Sequence, residues 1–82
     1  MTIDNKAKEI GINEDVVLYL LNKTKHKEAI VSKVILNSID YYGNYCLKLE
    51  MIEHWRKEIT LHISDKKLKK LRRELIINIL LN

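Results

Sequence analysis

The chain has 82 residues, with 15 Lys and Arg against 11 Asp and Glu and hydrophobic residues at 46% of positions, which suits one domain with a single modest core. Its longest apolar runs fall well short of the ~20 residues that a bilayer demands, and no segment reads as a signal peptide. The lone Cys46 excludes an internal disulfide and points to a reducing, cytoplasmic setting.

Abundant Ile, Lys and Asn, with no Pro and no Phe, suggest an A+T-rich coding genome, such as that of a low-G+C bacterium or a mobile element. The formal charge of +4 is unevenly spread. Residues 23–33 carry four Lys against one Glu, and residues 54–73 carry eight basic residues against two acids. The segments before, between and after are mildly acidic. Two basic blocks separated this way form one patch only if the fold brings them together.

In chain order, Ile3, Ala7 and Ile10 recur at helical spacing, with Asp4 near the start and Gly11 placed to end a short first helix. Asn13 caps a second, whose first turn holds Glu14 and Asp15 and whose inner face is Val17, Leu20 and Leu21. Val16–Leu21 is apolar all round, so a buried strand is the alternative there. In the third segment Ile30, Val31, Val34, Ile35, Ser38, Ile39 and Tyr42 share a broad helical face, Thr24 is a cap and Gly43 a terminator. The spacing predicts a helix from about Lys25 to Tyr42.

The period then changes. Tyr45, Leu47, Leu49 and Met51 alternate with polar neighbours, as do Ile59, Leu61 and Ile63, which predicts two antiparallel strands joined through Glu53–Lys57. A helix through 45–63 is the rival, supported by a Glu53–Lys57 i,i+4 pair, but it would leave Leu49 and Leu61 facing water. Ser64 and Asp65 open a last helix with an inner stripe of Leu68, Leu71, Leu75 and Ile79. Ile76, Ile77, Leu80 and Leu81 add more apolar surface than one small domain covers. Residues 64–82 are therefore expected to dimerise, through Leu68, Leu71, Leu75, Ile76, Ile79 and Leu80.

The order helix, helix, helix, two-stranded hairpin, helix resembles the winged helix-turn-helix DNA-binding proteins across most of the chain. The resemblance implies an α+β fold of three helices, a β-hairpin wing and a C-terminal helix. It further implies that the third helix enters the major groove, and that small proteins of this kind from phages or conjugative plasmids act as repressors or as accessory factors marking an origin. A second similarity is to the general helix-turn-helix spacing at Ala7, Gly11, Ile12, Val17 and Leu20. It would point Asn13, Glu14 and Asp15 at phosphate, which is electrostatically wrong. With the second and third helices as the unit, His26, Lys33 and Asn37 face the DNA, Lys23, Lys25 and Lys27 flank them, and the wing tip adds His54, Trp55, Arg56 and Lys57. About six neutralised phosphates would give a log–log salt slope near −5.

Each signal has a plainer reading. The six basic residues among Lys66–Arg73 also suit a solvated helix face, and a lone Trp also suits a core or interface anchor. Cys46, His54 and His62 are each separated by seven residues, which matches no usual zinc spacing, and no phosphate-cradling glycine run or catalytic triad can be assembled. The expectation is a non-enzymatic, homodimeric, double-stranded DNA-binding protein without metal, cofactor or small-molecule substrate. The rivals are a protein-binding inhibitor acting through apolar and basic helix surfaces, and a membrane-surface peptide built on the last helix.

Overall fold

The structure, a computed structural model, describes the backbone of residues 1–52 and 54–81, with side chains up to residue 77. Among the described residues the chain forms β1 (Thr2–Ile3), α1 (Asn5–Glu9), α2 (Glu14–Asn22), β2 (Ile30–Ile39), β3 (Asn44–Ile52), β4 (Glu58–Ser64) and α3 (Asp65–Leu81). The four strands make one sheet in the order β1-β2-β3-β4, parallel between β1 and β2 and antiparallel elsewhere.

The local chemistry explains most of these elements. Gly11 adopts a left-handed φ of 92°, and its N–H donates to the Lys8 carbonyl as α1 ends. Asn13 Oδ1 accepts from the Val16 N–H at 2.9 Å, so α2 begins where its cap stands, and Val16–Leu21 is helical. Ser64 Oγ accepts from the Lys67 N–H at 3.1 Å and opens α3. The Asp65 carboxylate there holds both the Tyr45 hydroxyl at 2.8 Å and Lys69 at 3.0 Å.

The expected helix from Lys25 to Tyr42 is instead a turn followed by β2, and this overturns the winged-helix arrangement. The reason lies in two bulges. The β2–β3 register shifts between Val31 and Lys33 and again between Leu36 and Ser38. Val31, Val34, Leu36 and Ile39 therefore stand opposite Met51, Leu49, Leu47 and Tyr45, at steps of three, two and three. That spacing imitates helical periodicity, yet five of the ten β2 residues are β-branched, which favours a pleated strand. Gly43 does not stop a helix. It turns the β2–β3 hairpin at a φ of 79°, where Asp40 Oδ1 accepts from the N–H groups of Tyr42 and Asn44.

The expected pair of strands over 45–63 is present as β3 and β4, in register from Asn44↔Ser64 to Glu50↔Glu58. They are central and edge strands of the sheet, not a projecting wing. The core lies between one sheet face and the helices. Val34, Leu47, Leu49, Ile59 and Ile63 meet Ala7, Ile12, Val16, Val17, Leu21, Leu68 and Leu71. On the other face Lys33, Glu50 and Glu58 form one row and Ile35, Lys48 and Thr60 the next, with Lys48 bridging to Glu58 at 3.1 Å.

Candidate nucleic-acid interface

Pairing of Ile30 with Ile52 places the turn before β2 beside the connection after β3. The turn is tied by local bonds. Thr24 Oγ1 donates to the Leu21 carbonyl at 2.7 Å and accepts from the His26 N–H, and the Ala29 N–H donates to the His26 carbonyl. His26 is thereby directed inward and is only 7% exposed. Its ring meets His54 edge-on at 5.2 Å and Trp55 at 5.6 Å, while His54 stacks on Trp55 at 5.5 Å. The Arg56 N–H donates to His54 Nδ1 at 3.1 Å, so that nitrogen is the acceptor and the proton of a neutral ring sits on Nε2.

These contacts join residues 25–27 of the first basic block to residues 54–57 at the start of the second, while the six cations of Lys66–Arg73 lie on α3. Desolvation pushes the His26 pKa below its ordinary value of 6.5, and electrostatic interaction with the neighbouring His54, Lys25 and Arg56 side chains pushes it further the same way. A residue from each block thus acts on one imidazole. Trp55 remains 73% exposed with the Arg56 guanidinium 5.3 Å from its ring. Lys25, His26, Lys27, Glu28, Ile52 and Trp55 are among the residues that line a recess of about 570 Å³. Lys57 borders an adjoining one with His54 and Glu58. The end of the sheet therefore combines fixed cations, an exposed indole and the apolar side chains of Ile30 and Ile52, with Glu28 among them, which suits phosphates next to sugar or base surface.

Other expected site residues lie elsewhere. Lys33 is on a strand rather than a recognition helix, on the open sheet face beside Glu50. Asn37 falls at the second bulge, about 20 Å along β2 from the His26 turn at about 3.3 Å per residue. Lys23 turns the other way, with its ammonium 4.5 Å from the Tyr19 ring, and lines a recess with Lys67, Lys70 and His62. Leu68 and Leu71 of the expected dimer stripe are buried in the chain's own core. Leu75 is partly buried against that core and Ile76 is exposed. The side chains of Ile79 and Leu80, and Glu53 as a whole, lie outside the described residues.

Two features had no forerunner in the sequence reading. One is the sealing of His26 against His54 and Trp55. The other is the Tyr41–Tyr42 pair at the opposite hairpin turn, 96% and 85% exposed with rings 5.5 Å apart. Among the described residues no group of three His, Cys, Asp or Glu converges on a metal-sized site, and no helix is long and apolar enough to cross a membrane. Comparison with family models, with curated proteins and with solved structures finds no match to the chain.

Proposed function

We propose that the chain binds double-stranded DNA through the end of the sheet where residues 25–27 and 54–57 meet. Lys25, Lys27, Arg56 and Lys57 contact backbone phosphates, and Trp55, with Arg56 against its ring, lies at the edge of a groove. The reading is carried by one observation, the packing of His26 against His54 and Trp55, which holds the two basic segments as one surface. Such a surface reads charge and backbone shape more than base sequence. The open sheet face supports no equivalent reading, because Lys33 and Lys48 stand among Glu50 and Glu58.

Fluorescence anisotropy with a labelled duplex tests the reading. The chain binds at low salt, and the combined variant Lys25→Ala, Lys27→Ala, Arg56→Ala, Lys57→Ala, folded by circular dichroism, loses measurable binding. No binding by the parent chain at low salt, or undiminished binding by the variant, refutes it.

A second reading, contact with another protein, is favoured by Tyr41, Tyr42 and the exposed Ile39 beside them. If it holds, Tyr41→Ala with Tyr42→Ala abolishes capture of a stoichiometric partner and leaves DNA binding intact.

A further inference from the structure

The two edges of the sheet differ. β2, near one edge, is covered by β1 at Lys33 and Val34 and is broken by two bulges. β4, at the other, runs seven residues in unbroken register, contains no Pro, and has no strand on its outer side among the described residues. Long, regular edges of this kind are templates for pairing unless something blunts them.

The bonds at the two ends of β4 fix which groups face outward. The Met51 N–H donates to the Lys57 carbonyl at 2.7 Å, and the Asp65 N–H to the Gly43 carbonyl at 3.0 Å. In an antiparallel ladder such bonds fall on alternate residues. Odd-numbered residues from 57 to 65 therefore bond to β3, and Glu58, Thr60 and His62 turn their N–H and C=O groups to the free edge.

We infer that this edge pairs with β4 of a second copy, antiparallel, with Thr60 on the two-fold axis, to make a continuous eight-stranded sheet. The outward groups are self-complementary in that register. Thr60 meets the partner's Thr60, and Glu58 meets the partner's His62 twice over, carboxylate against imidazole. Glu58 already accepts from Lys48 at 3.1 Å on its inner side, and a carboxylate has capacity for a second donor. On the helix-facing side the half-buried Leu61 gains the partner's Ile59 as cover. The inference is independent of the DNA reading, since no nucleic acid takes part.

Sedimentation equilibrium of the full chain without DNA tests it. The expected mass is twice the 9.7 kDa of one chain. Glu58→Lys removes the carboxylate that faces the partner's imidazole and His62→Glu sets two carboxylates against each other; each shifts the population to monomer, while the double variant, a Lys against a Glu, restores the dimer. In a Cys46→Ser background, Thr60→Cys cross-links on oxidation, because paired residues on the axis have Cα atoms about 5.5 Å apart, within disulfide reach. A monomer at all concentrations overturns the inference. So does a dimer that ignores both charge variants and whose Thr60→Cys form does not cross-link, since α3 or another surface would then be the contact. The cross-link alone decides the case if a charge variant fails to fold.

Discussion

Taking cations away from one end of the sheet should change the salt dependence of DNA binding by an amount fixed by counting. Lys25 and Lys27 line the recess with His26 and Trp55, Arg56 lies against the Trp55 ring, and Lys57 borders the adjoining recess with His54, which makes four cations in the count. Lys23 is not counted, because it is turned toward Tyr19 and α3. Each neutralised phosphate contributes about −0.9 to the slope of log affinity against log salt, so four give about −3.6. A rise from about 50 to 200 mM salt then weakens binding roughly 150-fold. Arg56→Ala with Lys57→Ala halves the count, giving a slope of about −1.8 and a loss of roughly 12-fold over the same range. Lys66→Ala with Lys69→Ala leaves the slope unchanged, because α3 starts at the opposite end of the sheet, where Asp65 bonds to Gly43. Anisotropy titrations of a labelled duplex at four or five salt concentrations read all three slopes. A parent slope shallower than about −1, or equal slopes for the parent and the Arg56, Lys57 variant, would refute the count and the surface behind it.

Three further outcomes follow from the fold. Leu49 is wholly buried at the centre of the sheet, so Leu49→Ala costs about 2–5 kcal/mol in urea denaturation; a loss below about 1 kcal/mol would place it outside a close-packed core. Gly43→Ala costs about 1–2 kcal/mol through its left-handed backbone alone, since no atom of the described residues lies within 4 Å of the added methyl. Gly11→Ala, in contrast, also displaces the Arg72 guanidinium, whose Nη1 would stand 2.5 Å from the new carbon, so its urea midpoint should fall at least as far; a neutral Gly11→Ala contradicts this packing. The third outcome concerns pH. His26 has a lowered pKa in the folded chain, so the unfolded chain takes up the proton first as pH falls, and stability declines from about pH 6.5 down to the depressed folded value. His26→Gln, compared by thermal unfolding above and below that window, loses this dependence. An identical decline in parent and variant would assign the proton elsewhere. Asp40 and Asp65, also lowered, contribute stability above their ordinary 3.8 that is lost at more acid pH, outside the histidine window.

Where side chains act locally, the sequence was a good guide. Asn13, Ser64, Gly11 and the alternation from Tyr45 to Met51 and Ile59 to Ile63 each specify a start, a turn or a strand pair with their own atoms. β2 has the spacing of a helix because its two bulges turn period two into steps of three and two, and a bulge becomes visible only against the partner strand. The expected arrangement of three helices and a two-stranded wing fell with that one segment. So did the grouping of Lys33 and Asn37 with His26, because a strand separates along its length what a helix would have stacked on one face.

The meeting of residues 25–27 with residues 54–57 is a consequence of the pairing of β2 with β3. Once β2 pairs antiparallel with β3, Ile30 lies opposite Ile52 and the residues on either side must become neighbours. The three aromatic rings that seal the contact belong to His26 and to the adjacent His54 and Trp55, which lie more than twenty-five positions further along the chain, with no periodicity to connect them. The apolar stripe of α3 is legible in the sequence, but Leu68 and Leu71 lie in the chain's own core. A sheet with one open face needs its single helical layer to cover the other, which periodicity alone does not reveal.

The claim on which the account rests is that residues 25–27 and 54–57 work as one surface, and a backbone amide NMR titration with a short duplex addresses it directly. The account predicts that both segments shift together along a single binding curve, while Asn37 and the first turn of α3 stay in place. A response from only one of the two segments, or largest shifts at Lys33 and Asn37 or along Lys66–Arg73, would contradict it.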